Sequence, residues 1–444
     1  MVTNRGLMFL IAGLCGMLLS LPLFAGPQIQ SWHTQNGAKV LFVAAPDLPM
    51  LDMRVVFDAG SARDGDNPGI SVLTNALLTD GAGEWDADQI AERMASVGAE
   101  LDVDALRDMA YVSIRTLTQP KPLATAIETL ATVLSQPTFE VDDLERNRQA
   151  MMTGLRREQQ NPGEVAKKSF LSKVFAGHPY AIHSGGTEES LPAITRELIQ
   201  SHHRQYYVAR NAVIAIVGAV DRAQAEQLAE QVTRDLPAGE HAVELPQVEA
   251  LASEEREWIS FPSSQSHILM GQPGMHRGDP DYFVLYVANH ILGGSGLVSI
   301  LSDELREKRG LCYSVYSYFS PMRRNGPYIM GIQTQNARVD EALRVMRDTV
   351  KQFIDQGPTE AQLTAAKQNI TGGFPLDIAS NSKIVGYLAM LGFYDLPLDY
   401  LDKFVSRIES VTREQITETL RRRVNPDRFI TVVVGNGEKT QEGS

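Results

Sequence analysis

Histidine and cysteine are the side chains through which this sequence could hold a catalytic metal, and their spacing limits what they can do. A catalytic zinc takes three protein ligands, and two histidines one helical turn apart are a common start of such a set. Of the nine histidines, neither His178 with His183 nor the adjacent pair His202-His203 has i, i+4 spacing. They read as loop or surface histidines. Cys15 and Cys312 are the only cysteines, too few for a disulfide framework or a Cys-rich zinc site. The stretch Leu292-Gly-Gly-Ser-Gly296 would cradle a phosphate only with a strand before it and Lys-Ser or Lys-Thr after it. It follows a helical pattern and lacks the lysine, so it reads as a flexible turn between two helices.

Charge narrows the partners. Lys and Arg number 41 against 54 Asp and Glu, a formal net charge of −13. A surface that acidic repels phosphate backbones and anionic lipid, which argues against nucleic-acid binding and peripheral membrane binding. With 444 residues, 43% of them apolar, the chain can bury a substantial core in two or three domains.

Residues 1–25 have the layout of a secretory signal peptide: Arg5, an apolar run from Gly6 to Phe24, then the small Ala25. The same length would serve as a membrane anchor; Pro22 and Ala25 favour cleavage. The mature protein is expected to be exported, to the periplasm, with no stable membrane insertion and Cys312 as a single buried thiol.

What must position any site is a pair of similar halves. Polar sequence with Pro237 and Pro246 divides the mature chain into 26–235 and 257–444, joined by a linker at 236–256. In the first half, strands are predicted at 39–44 and 51–59, helical segments at 69–78 and 87–97, strands at 100–104 and 108–118, then helices at 122–135 and 142–160. The second half repeats the order: strands at 257–261 and 266–272, helices at 280–292 and 297–308, strands at 313–321 and 328–334, helices at 339–356 and 359–371. Each half closes with a strand, 212–218 and 429–435. A tandem duplication of one α+β unit accounts for this order.

Several stretches, in order, carry a resemblance. They begin with Asp58-Ala-Gly-Ser-Ala-Arg-Asp64, Gln89-Ile-Ala-Glu-Arg-Met-Ala-Ser-Val-Gly-Ala-Glu-Leu101 and His178-Pro-Tyr180. Gly186-Thr-Glu-Glu-Ser-Leu191, Asn211-Ala-Val-Ile-Ala-Ile-Val-Gly218 and Leu305-Arg-Glu-Lys-Arg-Gly-Leu-Cys-Tyr-Ser-Val315 complete the set. Over nearly the whole mature chain the sequence resembles the zinc peptidases that include pitrilysin, insulin-degrading enzyme and mitochondrial processing peptidase. The resemblance implies two tandem homologous domains, each a mostly antiparallel sheet with helices packed on one face.

In active members of that family, a helix after the second strand carries H-x-x-E-H: two zinc ligands and the glutamate that activates water. Here the ligand places fall on Val72 and Ala76, and that of the base on Asn75. The later glutamate ligand belongs near Met152-Thr153, where no acid stands from Gln149 to Gly154. Val and Ala offer no lone pair, and Asn takes no proton at neutral pH. The chain alone is expected to bind no zinc and cleave no peptide, and a displaced metal site would need ligands that the histidines do not supply.

The resemblance also implies roles for what remains. Arg306 and Tyr313 match an Arg/Tyr pair that contacts substrate and helps stabilise the transition state from the face opposite the zinc. Gly293, Gly294, Ser295 and Gly296 match a glycine-rich loop that touches substrate in the non-catalytic subunit of processing peptidases. The expected partners are a zinc-bearing homologous subunit, forming a heterodimer, and an unfolded peptide; zinc is expected in the partner. The alternative is a structural or binding protein on the same fold, like a core subunit of a respiratory complex.

Overall fold

The computed structural model describes residues 27–437, so the signal-peptide reading of 1–25 lies outside the described residues. The first domain is built on six strands: β1 (Gln30–His33), β2 (Lys39–Ala44), β3 (Met50–Phe57), β4 (Glu100–Ala105), β5 (Ala110–Leu117) and β6 (Ala212–Gly218). They pair in the order β1-β2-β6-β3-β5-β4, with β2 and β6 parallel and every other pair antiparallel. The second domain has β7 (Glu255–Ser260), β8 (Gln265–Pro273), β9 (Cys312–Phe319), β10 (Pro327–Gln335) and β11 (Ile430–Gly435). Their order is β7-β11-β8-β10-β9, again with one parallel pair, β7 with β11. Apart from β1 the two sheets have the same topology, which establishes the duplication.

The first domain's own helices cover one face of its sheet. They are α1 (Ile70–Ala76), α2 (Ala87–Ala95), α3 (Pro120–Ser135), α4 (Val141–Gln159), α6 (Arg196–Tyr206) and α7 (Arg222–Thr233). Alternate strand residues such as Phe42, Met53, Val55, Val112 and Ile216 bury against Leu73, Leu130, Val133 and Ile199 of these helices. In the second domain, α8 (Tyr282–Asn289), α9 (Val339–Gln356), α10 (Glu360–Asp377), α12 (Tyr400–Glu409) and α13 (Arg413–Arg423) do the same for β7–β11.

The other face of each sheet is covered by a helix from the opposite domain. α5 (Pro162–Val174), started by Asn161, which accepts from the Gly163 amide at 2.9 Å, belongs in sequence to the first half. Its stripe of Ala166, Phe170 and Val174 packs on Leu269, Ile329, Val432 and Val434 of the second sheet. In return α11 (Asn381–Phe393) lies over Leu41, Val213 and Ala215 of the first. It comes so close that a methyl group on Gly392 would stand 2.4 Å from Val213 Cγ1.

A polar clamp joins the domains beside this exchange. Buried Asp108, just before β5, accepts from Tyr180 Oη at 2.6 Å, Tyr394 Oη at 2.9 Å and the Arg323 amide at 2.7 Å. Residues 237–254 contain no helix or strand; they run across both domains, with Leu245 buried beside α5.

Candidate functional site

The helix that would carry the zinc motif is α1. It begins at Gly69 in a left-handed conformation, φ 97°. No neighbouring side chain caps it in the usual way; instead Asp64 reaches in and accepts from the Gly69 amide at 2.7 Å and the Ser71 amide at 3.1 Å. Burial pushes the Asp64 carboxyl up to about 7. The helix sits on β5 and α6, and α4 runs beside it.

Val72 and Ala76 lie half-exposed, while Asn75 is buried. Both ends of the Asn75 amide are occupied: Oδ1 accepts from Tyr207 Oη at 2.9 Å, and Nδ2 donates to the Tyr111 carbonyl at 3.3 Å. Where the family places a base, this chain has a brace between helix and sheet. On α4, Met152 packs half-buried on the core, and Thr153 turns its hydroxyl back to the Gln149 carbonyl at 2.8 Å. These residues do not fit zinc. Among the described residues, no three His, Cys, Asp or Glu side chains lie close enough together to hold a metal.

The histidines need a correction. His178 is a loop residue but a buried one, and His202 and His203 are buried on α6, neither loop nor surface residues. His203 Nε2 meets the Leu134 carbonyl at 2.9 Å and its ring stacks on Tyr207 at 4.9 Å, so it joins α6 to α3. His202 Nε2 lies 3.4 Å from Ser71 Oγ on α1. Desolvation lowers both rings, His202 to about 3 and His203 to about 4, so they are neutral packing groups. His178 uses Nδ1 to accept from the Tyr180 amide at 3.0 Å and Nε2 on the Pro246 carbonyl at 3.0 Å.

In the second domain, the segment expected as two helices is irregular. α8 widens into a π-helical turn at His290–Gly294, and a 3-10 turn, Gly296–Val298, follows. A short α turn at Ile300–Ser302 then leads into a second π turn, Asp303–Glu307. Ser299, which accepts from the Ser302 amide and donates to the Gly296 carbonyl at 2.7 Å, breaks the expected 297–308 helix near its start. Gly293 is buried, and a Cβ there would meet Ser317 Oγ at 2.3 Å. Gly293 is therefore a contact between this turn and β9, not a substrate-facing residue. Gly294 and Gly296 are exposed and Ser295 half-exposed.

Arg306, on the second π turn, and Tyr313, near the start of β9, come together. The guanidinium carbon stands 5.5 Å from the ring centre. A bulge between Cys312 and Val315 turns Tyr313 out of the sheet, and the ring is 88% exposed. The nearest acid to the Arg306 side chain is Glu307, at 3.6 Å from Nε, too long for a hydrogen bond. Cys312 is half-buried on this edge strand rather than fully buried.

With that geometry in view, the comparisons with known proteins are direct. A family model described as insulinase (peptidase family M16) matches residues 39–188, and one described as peptidase M16 inactive domain matches 193–370. The chain belongs to the M16 peptidase family. An uncharacterized zinc protease of Streptomyces coelicolor is 25% identical over 402 residues, covering 87% of this chain and 85% of that protein. A Helicobacter pylori protein described as a non-peptidase homolog is 24% identical, covering 95% of this chain and 98% of its own. Among solved structures, a peptidase M16 inactive domain from Pseudomonas fluorescens matches with a TM-score of 0.90 at 38% identity, covering 93% of this chain and 98% of that one. These inactive-domain and non-peptidase matches make this a non-catalytic M16 protein.

Proposed function

We propose that the chain is the zinc-free, substrate-holding subunit of an exported heterodimeric metallopeptidase of the M16 family. The observation that carries this reading is an asymmetry. Every zinc place is filled by a side chain without a suitable donor, yet Arg306 and Tyr313 stand together at the surface, with no carboxylate hydrogen-bonded to the guanidinium.

The chemistry suits the pair. Attack on a peptide carbonyl builds negative charge on its oxygen, and a phenol and a guanidinium are both donors to such a charge. Zinc and the water-activating carboxylate belong to the partner in this reading. Gly294, Ser295 and Gly296 supply exposed backbone beside an extended peptide, and residues 1–25 direct the chain out of the cytoplasm. A structural role like that of a respiratory-complex core subunit has no use for an exposed Arg/Tyr pair.

The test is mixing. The purified chain and a zinc-bearing M16 homologue from the same genome are run alone and together in sedimentation and in a peptide-cleavage assay. A one-to-one complex with activity above the sum of its parts supports the reading; two species that ignore each other overturn it.

A further inference from the structure

A cavity of about 670 Å³ opens between the two domains along the flank of α5. Pro68, Leu155, Val165, Ile182 and Ile259 give it apolar walls, drawn from both domains. Small-molecule sites are concave, mostly apolar and concentrated where domains meet. Three charged groups in this cavity, Glu158, Glu164 and Lys168, form no ion pair with a Lys, Arg, Asp or Glu side chain among the described residues. Lys168 has no acid within 4 Å among the described residues, although its charge is near enough to disfavour protonation of His183. Glu158 meets one polar side chain, His183, whose Nε2 lies 3.2 Å from Oε2. Burial lowers the His183 pKa, so at neutral pH the ring donates to Glu158 without cancelling its charge. The remaining lysine, Lys173, is engaged with Glu255 and Glu257.

Two other cavities hold cations that are already paired. Beneath the linker, Arg422 and Arg423 are closed on Asp281 and Asp279. Around Lys39 and Arg210, the charges meet Asp395 and Glu240.

We propose that the cavity beside α5 binds a small zwitterion with an apolar body, a short peptide with both termini free. Its ammonium group sits on Glu158, its carboxylate on Lys168, and its side chains against Leu155, Val165, Ile182 and Ile259. The proposal stands apart from the heterodimer reading, because the whole site lies within one chain.

Calorimetric titration of the purified chain at neutral pH tests it with three probes: leucyl-leucine, N-acetyl-leucyl-leucine amide and nonanoate. The expected result is saturable one-to-one binding of leucyl-leucine alone. Lys168→Met and Glu158→Gln each weaken it about tenfold, the loss of one charge-assisted hydrogen bond. Lys167→Met, on the neighbouring residue outside the cavity, leaves it unchanged. No saturable binding, equal binding of the blocked peptide or of nonanoate, or unchanged affinity in both cavity variants would overturn the proposal.

Discussion

The guanidinium carbon of Arg306 lies 5.5 Å from the centre of the Tyr313 ring, on a π turn and a bulged edge strand that share no other reason to present these two side chains. An exposed cation–π contact contributes about 0.5–1 kcal/mol. That is too little to explain why a ring 88% exposed is kept there for the sake of the fold. Tyr313→Ala is therefore expected to leave the thermal midpoint of the isolated chain nearly unchanged, within about 1 kcal/mol of stability. A differential-scanning measurement checks it.

Asn75 gives the opposite expectation. Asn75→Ala leaves the Tyr207 hydroxyl, buried with its phenol pKa raised by desolvation, without its acceptor and frees α1 from β5. A loss of about 1–3 kcal/mol follows from an unsatisfied buried donor. Val72→Ala, half-exposed one turn away, is expected to cost less than about 1 kcal/mol. Urea midpoints of the two variants separate these outcomes.

The helix exchange predicts one cooperative unfolding transition for both domains. α5 lies on the second sheet and α11 on the first, so neither sheet keeps its cover if the other domain opens. Calorimetry should show a single peak, and Gly392→Ala should lower it as one peak, since the new methyl is forced against Val213 and Leu41. Overpacking of this kind costs about 1–3 kcal/mol. Two resolved peaks would contradict the exchange.

Stability should fall as pH drops from about 6.5 toward 4. His202 and His203 have folded pKa values depressed below the ordinary histidine value, to about 3 and about 4. In that window the unfolded chain binds the protons, so acid favours unfolding. Asp64 acts the other way: its carboxyl, raised to about 7, makes the folded state the proton binder between its ordinary value of 3.8 and 7. Burial also lowers His178, His183, His267 and His290, while Asp52, like Asp64, is raised, so the histidines outnumber the carboxylates and a net loss remains. His202→Gln should shrink the drop in urea midpoint between pH 7 and pH 5 relative to the unmodified chain.

Much of the fold was legible in the sequence because local patterning set it. The strands at 39–44 and 212–218 coincide with β2 and β6 as short continuous apolar runs, and the helix at 339–356 coincides with α9, which carries a strong helical apolar period. That Val72 and Ala76 carry no lone pair is a property of the residues alone and needs no structure. The exchange of α5 and α11 was not legible, because periodicity marks a buried face without saying which sheet covers it. Capping boxes at Asp221–Gln224 and Thr412–Gln415 were available signals for the unassigned α7 and α13. The burial of His202 and His203 had no local signal: their partners, Ser71 and Leu134, lie far away in the chain. Asp64 stands in the family-like Asp58–Asp64 stretch, yet nothing in the sequence showed that it and Tyr207 hold the helix from a distance.

The central claim is that this chain lends Arg306 and Tyr313 to a site it does not itself contain. The most direct measurement is peptide cleavage by the reconstituted pair, with the unmodified chain, Arg306→Ala or Tyr313→Phe mixed with the zinc-bearing homologue, and complex formation followed in parallel. The account predicts that both variants form the complex and retain little activity, with a loss of about a hundredfold, the order seen when one transition-state donor is removed. Full activity in both variants within an intact complex would contradict it, and so would cleavage by this chain alone.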